Sequence, residues 1–175
     1  MQNNTILNLA VVATGGVIIA FIAYYIARFM RGTIKLSLPR TAFNPGDTIT
    51  GSIDLHAKKT IHGNKLIVRL IGVQETSTYK NGETQTQSQE IYRNEVLVEE
   101  EKYYHAGAKA TYNFEISTPS MQSSEFQNSK LGQVLSTAFT LINNTSTKFK
   151  WKVEARLDAK GVDLATSKPI YFNAS

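Results

Sequence analysis

The sequence predicts a mainly β protein: one antiparallel β-sandwich of about seven strands, preceded by a single transmembrane helix and carrying one short helical insertion. Three observations lead to this prediction. Residues 6–30 form a long apolar run. From residue 33 onward, apolar and polar side chains alternate in short stretches that are separated by turn-forming residues. One stretch, residues 131–142, instead has apolar residues three and four positions apart, which is typical of an amphipathic helix.

The apolar run reads ILNLAVVATGGVIIAFIAYYIARFM and carries no charge from Ile6 to Ala27. At about 1.5 Å per residue, this uncharged part extends roughly 33 Å, close to the thickness of a bilayer's hydrocarbon core. A cleaved signal peptide would need a basic beginning, which MQNNT lacks, and a helix of a soluble protein would normally show a polar face. We therefore predict a short tail over residues 1–5 and a transmembrane helix over residues 6–30.

The charges that flank the run predict its orientation. Basic residues follow it on the C-terminal side: Arg28, Arg31, Lys35 and Arg40. By the positive-inside rule, the N-terminus lies outside the cell and the domain at 31–175 lies in the cytoplasm. Thr14, Gly15 and Gly16 form a patch of small residues that suits a helix–helix contact. Simple tolerance of glycine in membrane helices is the alternative interpretation, and both stay open.

The first half of the domain predicts three strands, over residues 33–39, 48–57 and 65–79. A turn composed of Pro45, Gly46 and Asp47 separates the first two strands, because proline and glycine supply the backbone angles that turns require. Gly51 falls on the apolar face of the second strand, where a missing side chain leaves space for a bulge or a neighbouring ring. A turn is predicted at residues 62–64. The third strand is apolar on both faces, as in the centre of a sandwich.

The second half predicts a polar hairpin tip at residues 80–89 with an Asn81-Gly82 turn, and strands over 90–104 and 105–117. An insertion at 118–147 follows, with a loop at 118–130 and the amphipathic helix at 131–142; a strand over residues 136–142 stays open. The last strands span residues 149–161 and 166–174. In FKWKVEARLDAKG, the side chains of Trp151, Val153 and Ala155 share an apolar face, and Gly161 permits the next turn.

These stretches together resemble the arrestin-like family of immunoglobulin-like sandwiches, which includes arrestins and the bacterial sporulation-control proteins. The resemblance is carried by NPGDTITGSIDL, GNKLIVRLIGVQET, YNFEISTP, FKWKVEARLDAKG and SKPIYF, with Pro169 in the last of them. It implies a non-catalytic scaffold that binds proteins near membranes. The chain departs from the family in having room for one sandwich rather than two, and in its predicted membrane anchor. The phosphate-sensing basic residues of visual arrestins have no match here.

The residues that commonly perform chemistry do not form a recognisable set. His56, His62 and His105 are scattered without metal-ligand spacing, and neither Glu99 with Glu101 nor Asp158 with Asp163 has further converging ligands. There is no G-x-S-x-G motif, no cysteine and no basic cluster interleaved with aromatics, although the net charge is +5. We expect no catalytic residue, metal or cofactor, and no nucleic-acid partner.

The function predicted from these observations is a membrane-anchored interaction or adaptor module of a membrane assembly. Loops are the expected partner-binding sites, through the following residues: Asn81, Gly82, Phe126, Leu131, Leu135 and Phe139. Packing of the insertion on its own domain is one alternative for its four residues. Contact of its helix with the membrane surface is another, although Lys130 is the one basic residue that would favour it. A self-associating structural accessory, and hence a homo-oligomer, is the second hypothesis; a ligand-binding or enzymatic domain is the third.

Overall fold

A computed structural model of the chain describes residues 22–80, 82–120 and 145–173. Residues 22–31 form a helix, and nine strands follow. The strands are β1 (Gly32–Ser37), β2 (Ala42–Phe43), β3 (Thr48–Ala57), β4 (Ile61–Lys80), β5 (Glu83–Glu99), β6 (Lys102–Tyr104), β7 (Lys109–Ser117), β8 (Thr145–Ala159) and β9 (Leu164–Phe172).

The strands form two sheets. The smaller sheet has the order β1-β3-β7, and the larger has the order β2-β9-β8-β4-β5, with β6 paired to the beginning of β4. Every pairing is antiparallel except the short parallel contact between β2 and β9. The described residues are therefore mainly β, as the sequence predicts.

The hydrophobic core lies between the two sheets. Strand alternation directs Ile49, Ile53 and Leu55 of β3 inward, and the predicted inward residues Val153 and Ala155 of β8 are fully buried. Gly51 accommodates a ring, because a Cβ at this position would lie 2.6 Å from the Phe114 Cζ atom. Burial of side chains of this size contributes about 1.5–3 kcal/mol each, so the core supplies the main stabilisation of the sandwich.

Three local predictions differ from the structure. The described residues contain nine strands rather than about seven, because β2 and β6 have only two and three residues and are too short to show an alternating pattern. Residues 62–64, predicted as a turn, lie within β4. The predicted hairpin tip at 80–89 is mostly strand, since β4 continues to Lys80 and β5 begins at Glu83.

Several predictions concern residues outside the described ranges. They include the predicted tail and most of the predicted transmembrane helix, and residues 121–144 of the predicted insertion. β8 begins at Thr145, so its first residues overlap the end of that insertion. Among the described residues, no helix combines the length and hydropathy that a membrane crossing requires.

Candidate interaction surfaces

A three-stranded extension, which we call the polar arm, continues beyond the core. It consists of residues 73–80 of β4, 83–90 of β5 and 145–150 of β8. Register pairs run from Val73 with Glu90 to Lys80 with Glu83 on one side of β4, and from Val73 with Lys150 to Thr78 with Thr145 on the other. At about 3.3 Å per residue, the eight residues of β4 carry the arm roughly 26 Å past the sandwich.

The polar arm is built almost without apolar burial. All eight side chains of β5 in the arm, ETQTQSQE, are exposed. Cross-strand pairs hold it locally, including Ser77 Oγ with Thr86 Oγ1 at 3.0 Å and Lys150 Nζ with Glu75 Oε2 at 2.7 Å. Backbone pairing and such contacts, rather than a core, therefore maintain the arm.

The outer edge of β5 is open in the part of the chain that the structure describes, because β5 is the last strand of its sheet. An open edge presents unpaired backbone donors and acceptors, which template the addition of another strand. Natural edges are commonly shortened or protected by lysine or proline. Within the arm, β5 has neither residue, and charges stand only at Glu83 and Glu90. This edge is thus a chemically competent site for strand addition.

An aromatic layer closes the core where the polar arm begins. The ring of Trp151 lies 4.8 Å from that of Phe172 and 5.5 Å from that of Tyr92, measured between centroids. Gly72 packs against the Trp151 ring, and the β4–β5 register shifts beside it, leaving Ile91 unpaired and buried. Such a bulge bends the strand and increases its twist. Trp151 is thus a half-buried residue that packs on the edge of the core.

Ion pairs cover the outer face of the larger sheet next to this layer. Arg69 Nε donates to Glu95 Oε2 at 2.7 Å, and Arg69 Nη1 lies 3.7 Å from Glu154 Oε1. The hydrogen bond from Arg69 holds the pKa of Glu95 below its ordinary value. On the same face, Ile67 and Ile71 are buried, since the stems of long charged side chains shield apolar surface. The charged side chains described on this face therefore pair with one another.

The smaller sheet carries a shallow groove of about 710 Å³. Its lining includes Ser37, Gly51, Asn113 and Phe114. Glu115 is the one ionisable residue among those that line it. A specific small-molecule site needs several converging polar groups, and this groove brings together few.

The side chains considered for chemistry are dispersed among structural contacts. His62 pairs with Glu101 and stacks on Tyr103, with 4.2 Å between ring centroids. Glu99 accepts a hydrogen bond from Lys102 at 2.9 Å. In the described ranges, no three histidine or carboxylate side chains are grouped so as to hold a metal ion.

Asp163 is likewise a structural residue. Its Oδ2 accepts a hydrogen bond from Arg156, and its Oδ1 accepts one from the Ala159 backbone N–H at 3.0 Å. Asp158 instead lies within β8, paired with Lys65 of β4. The two carboxylates therefore do not form the cation site considered from the sequence.

The predicted turn residues occupy turns. Asp47 Oδ2 accepts the Asn44 backbone N–H and the Arg40 side chain, both at 2.9 Å, and Gly46 has a φ of 88°. Gly82 occupies the tip of the polar arm. Pro169 lies in β9 opposite Lys152.

The remaining predicted contact residues lie outside the described residues: Thr14, Gly15, Gly16, Asn81, Phe126, Leu131, Leu135 and Phe139. Their roles stay predictions.

Two arrangements were not predicted from the sequence. Residues 80–89 are predicted as a polar hairpin tip that binds partners but not as strands, because every residue of TQTQSQ is polar and gives no apolar periodicity. Lys58 and Lys59 lie beside the helix together with Lys160, although about a hundred residues separate the two turns. The signal that could have found them is their position, because all three lie within two residues of a strand end.

Comparison with known proteins supports the fold. No protein-family model matches the sequence, and no curated protein matches it. Among solved structures, the chain is similar to Spo0M, the sporulation control protein from Bacillus subtilis, with 15% identity and a TM-score of 0.57. The match covers 83% of this chain and 50% of that one, so the chain spans half the length of Spo0M. At this identity the likeness shows the fold alone, and it supports the arrestin-like sandwich that the sequence resembles.

Proposed function

We propose that this chain is a membrane-anchored, non-catalytic interaction module that recruits or joins a protein assembly through its polar arm. The observation that carries the proposal is the open edge of β5 on an arm with no core of its own. Such an extension contributes little to folding but offers backbone groups to a partner strand. The sandwich then serves as the rigid base that positions it.

The helix at residues 22–31 supports the anchor. Its side chains are apolar or aromatic except at Arg28 and at the last residue, Arg31, and those of Ile22, Tyr25, Ile26 and Phe29 are more than half exposed. A helix that is apolar all round is normally buried in protein or lipid. Together with the apolar run that precedes it in the sequence, this favours an anchor over residues 6–30, with the sandwich in the cytoplasm. Confinement to a membrane raises the effective concentration of partners, so weak edge contacts suffice.

The experiment is a pulldown of the tagged full chain after mild detergent extraction, comparing two double variants. Gln85→Lys with Gln87→Lys places two charges on the β5 edge strand, which disfavours strand addition. Ser37→Lys with Asn113→Lys adds the same charge beside the groove on the other sheet. All four side chains are exposed, so each variant should keep its stability within about 0.5 kcal/mol per substitution.

We expect the arm variant to lose the co-purifying protein and the groove variant to retain it. If only the groove variant loses the co-purifying protein, the binding site lies on the smaller sheet and the arm is not the interaction surface. Recovery of a lone monomer across several detergents would contradict the interaction module altogether.

Self-association is the second candidate function, since an open edge also pairs with its own copy. In that case the complex contains this chain alone, and its mass in detergent is a multiple of the monomer's. If the small-residue patch contributes to this oligomer, replacing Gly15 and Gly16 with leucine should dissociate it into monomers. An unchanged mass distribution would show that the patch is not part of the oligomer contact.

A further inference from the structure

The end of the sandwich opposite the polar arm collects basic residues from three separate segments. They are the helix at 22–31 and the turns at 58–60 and 160–163, and the turn at 105–108 lies beside them through backbone hydrogen bonds to Ala57. We call this surface the basic end and define it by Arg28, Arg31, Lys58, Lys59 and Lys160. Backbone hydrogen bonds bring the segments together: Lys58 N–H and Lys59 N–H both donate to Arg31 C=O, at 2.8 and 3.1 Å.

The helix is joined to the basic end without a linker. It ends at Arg31, and β1 begins at Gly32, which is buried. Arg31 Nη2 donates to Lys160 C=O at 2.8 Å, and Lys58 Nζ lies 3.2 Å from the centroid of the Phe29 ring. The direction of the helix is therefore set by the same residues that carry the charge.

The charge of the basic end is not cancelled by the turns that form it. Asp163 is the one carboxylate in the three turns, and it already accepts hydrogen bonds from the Arg156 side chain and the Ala159 backbone N–H. Lys59 and Lys160 are exposed. The ring of Phe29, which is 66% exposed, lies beside the Lys58 ammonium group in the same surface.

We propose that the basic end rests on the anionic headgroups of the bilayer that holds the helix. An apolar helix that meets a ring of lysine and arginine at its cytoplasmic end matches the layering of a membrane: hydrocarbon, then phosphate. An acidic protein would complement the charge but would leave the exposed aromatic and aliphatic helix surface uncovered, so the membrane fits both features. This inference rests on the anchor proposed above and extends it, because it assigns the sandwich itself a lipid-binding face.

The contact sets the orientation of the whole domain. β4 begins directly after the basic end, at Ile61, and runs without interruption into the polar arm. With the basic end on the headgroups, the arm points away from the membrane toward the cytoplasm. The two surfaces are thus opposite ends of one strand, one for lipid and one for protein.

The test uses the full chain in nanodiscs, with either neutral phosphatidylcholine or a mixture containing phosphatidylglycerol. The chain has no cysteine, so Ala106→Cys places a single fluorophore in the exposed turn at the basic end. A quencher attached to lipid headgroups reports its distance from the surface. The same label at Gln85→Cys, on the arm, is the distance control.

Charge reversal then identifies the residues. Lys59→Glu with Lys160→Glu is compared with Lys148→Glu and Lys150→Glu on the arm, and both pairs change the net charge from +5 to +1, since each reversal removes two charges. We expect quenching at position 106 in anionic discs, weakened by salt and by the first pair but not by the second. Each lysine at such a surface shifts the ratio of docked to undocked sandwich by about fivefold, and its reversal by at least as much.

The outcomes separate the two proposals. The headgroup contact is overturned if quenching is equal in neutral and anionic discs, or if it survives reversal of Lys59 and Lys160. The anchor is tested separately by extraction with alkaline carbonate, which an inserted helix resists. A chain that carbonate removes from both discs, and that beforehand shows no preference for anionic discs, overturns both the anchor and the headgroup contact. A chain that carbonate removes from both discs but that beforehand binds anionic discs alone supports the headgroup contact and overturns the spanning helix.

Discussion

The layer that closes the core below the polar arm makes a sharp prediction for Gly72→Ala. The added Cβ would lie 2.8, 2.9 and 3.1 Å from three carbons of the Trp151 ring, whereas carbon atoms pack at about 3.5–4.0 Å. The ring must therefore move by roughly 0.7 Å, toward the rings of Phe172 and Tyr92 that enclose it. Overpacking of this kind costs about 1–3 kcal/mol, and replacing a strand glycine with alanine returns about 0.5–1 kcal/mol. We expect a net loss of about 1–2 kcal/mol in the free energy of unfolding.

Urea unfolding of the full chain in nanodiscs, followed by far-UV circular dichroism, measures this loss. Trp151 is the only tryptophan, so its fluorescence reports the same layer independently. The matched background is Trp151→Leu, which removes the ring; there, Gly72→Ala should be neutral or stabilising. A Gly72→Ala protein as stable as the wild type, or an equal loss in both backgrounds, would refute the packing argument.

Three further predictions concern other contacts. The pKa of Glu95 is lowered by Arg69, so its stabilising contribution is present above the ordinary pKa of 4.5 and is lost as the pH falls through the folded-state value; Glu95→Gln should flatten the acid limb of a pH series of urea midpoints, and an unchanged limb would count against the pair. Gly161→Ala places a Cβ at a φ of 100° and 2.5 Å from Arg31 Nη1, so we expect a loss of about 1–3 kcal/mol and faster hydrogen exchange at the turn, with wild-type exchange as the contrary result. Burial raises the pKa of Tyr104 above its ordinary value of 10, so its contribution to stability is present below pH 10 and is lost as the pH rises through the folded-state value. Burial also raises the pKa of Tyr92 and Tyr112, so ultraviolet titration should show a late-ionising group of phenols whose amplitude Tyr104→Phe reduces by one phenol, with an unchanged amplitude as the contrary result.

The sandwich is predictable from the sequence because its strands obey simple alternation. Ile49, Ile53 and Leu55 repeat at intervals of two or four residues, and Leu66 to Ile71 are apolar on both faces, as the central strand β4 requires. Gly51 signals a close approach, and Phe114 makes it. Apart from the short strands β2 and β6, the positions that the sequence mispredicts share one cause, which is that polar strands carry no periodic signal of hydrophobicity. His62 to Asn64 resembles a turn by composition, yet these residues lie inside β4.

The interaction surfaces are less predictable than the core, because they depend on which segments meet. Thr84 to Gln89 forms a strand since it pairs with β4, an arrangement that no local pattern of hydrophobicity specifies. Lys59 and Lys160 become neighbours through the Arg31 backbone and side chain, across two sheets. Turns that carry lysine can be found in a sequence, but which of these turns meet at the same end of the sandwich depends on the order of the strands in the two sheets.

Because no linker separates the helix from β1, the helix and the sandwich are expected to rotate together as one rigid unit. β4 spans twenty residues from the basic end to the arm tip, or about 60 Å at the rise of a β-strand. With Arg31 clamped by the turns at 58–60 and 160–163, a change in helix tilt is passed to the sandwich rather than absorbed by a flexible joint. A tilt of about 10° would swing the tip by roughly 10 Å, which is two strand spacings. In the membrane-anchored state that we propose, bilayer thickness would control the helix tilt and thereby set where the open edge of β5 is presented.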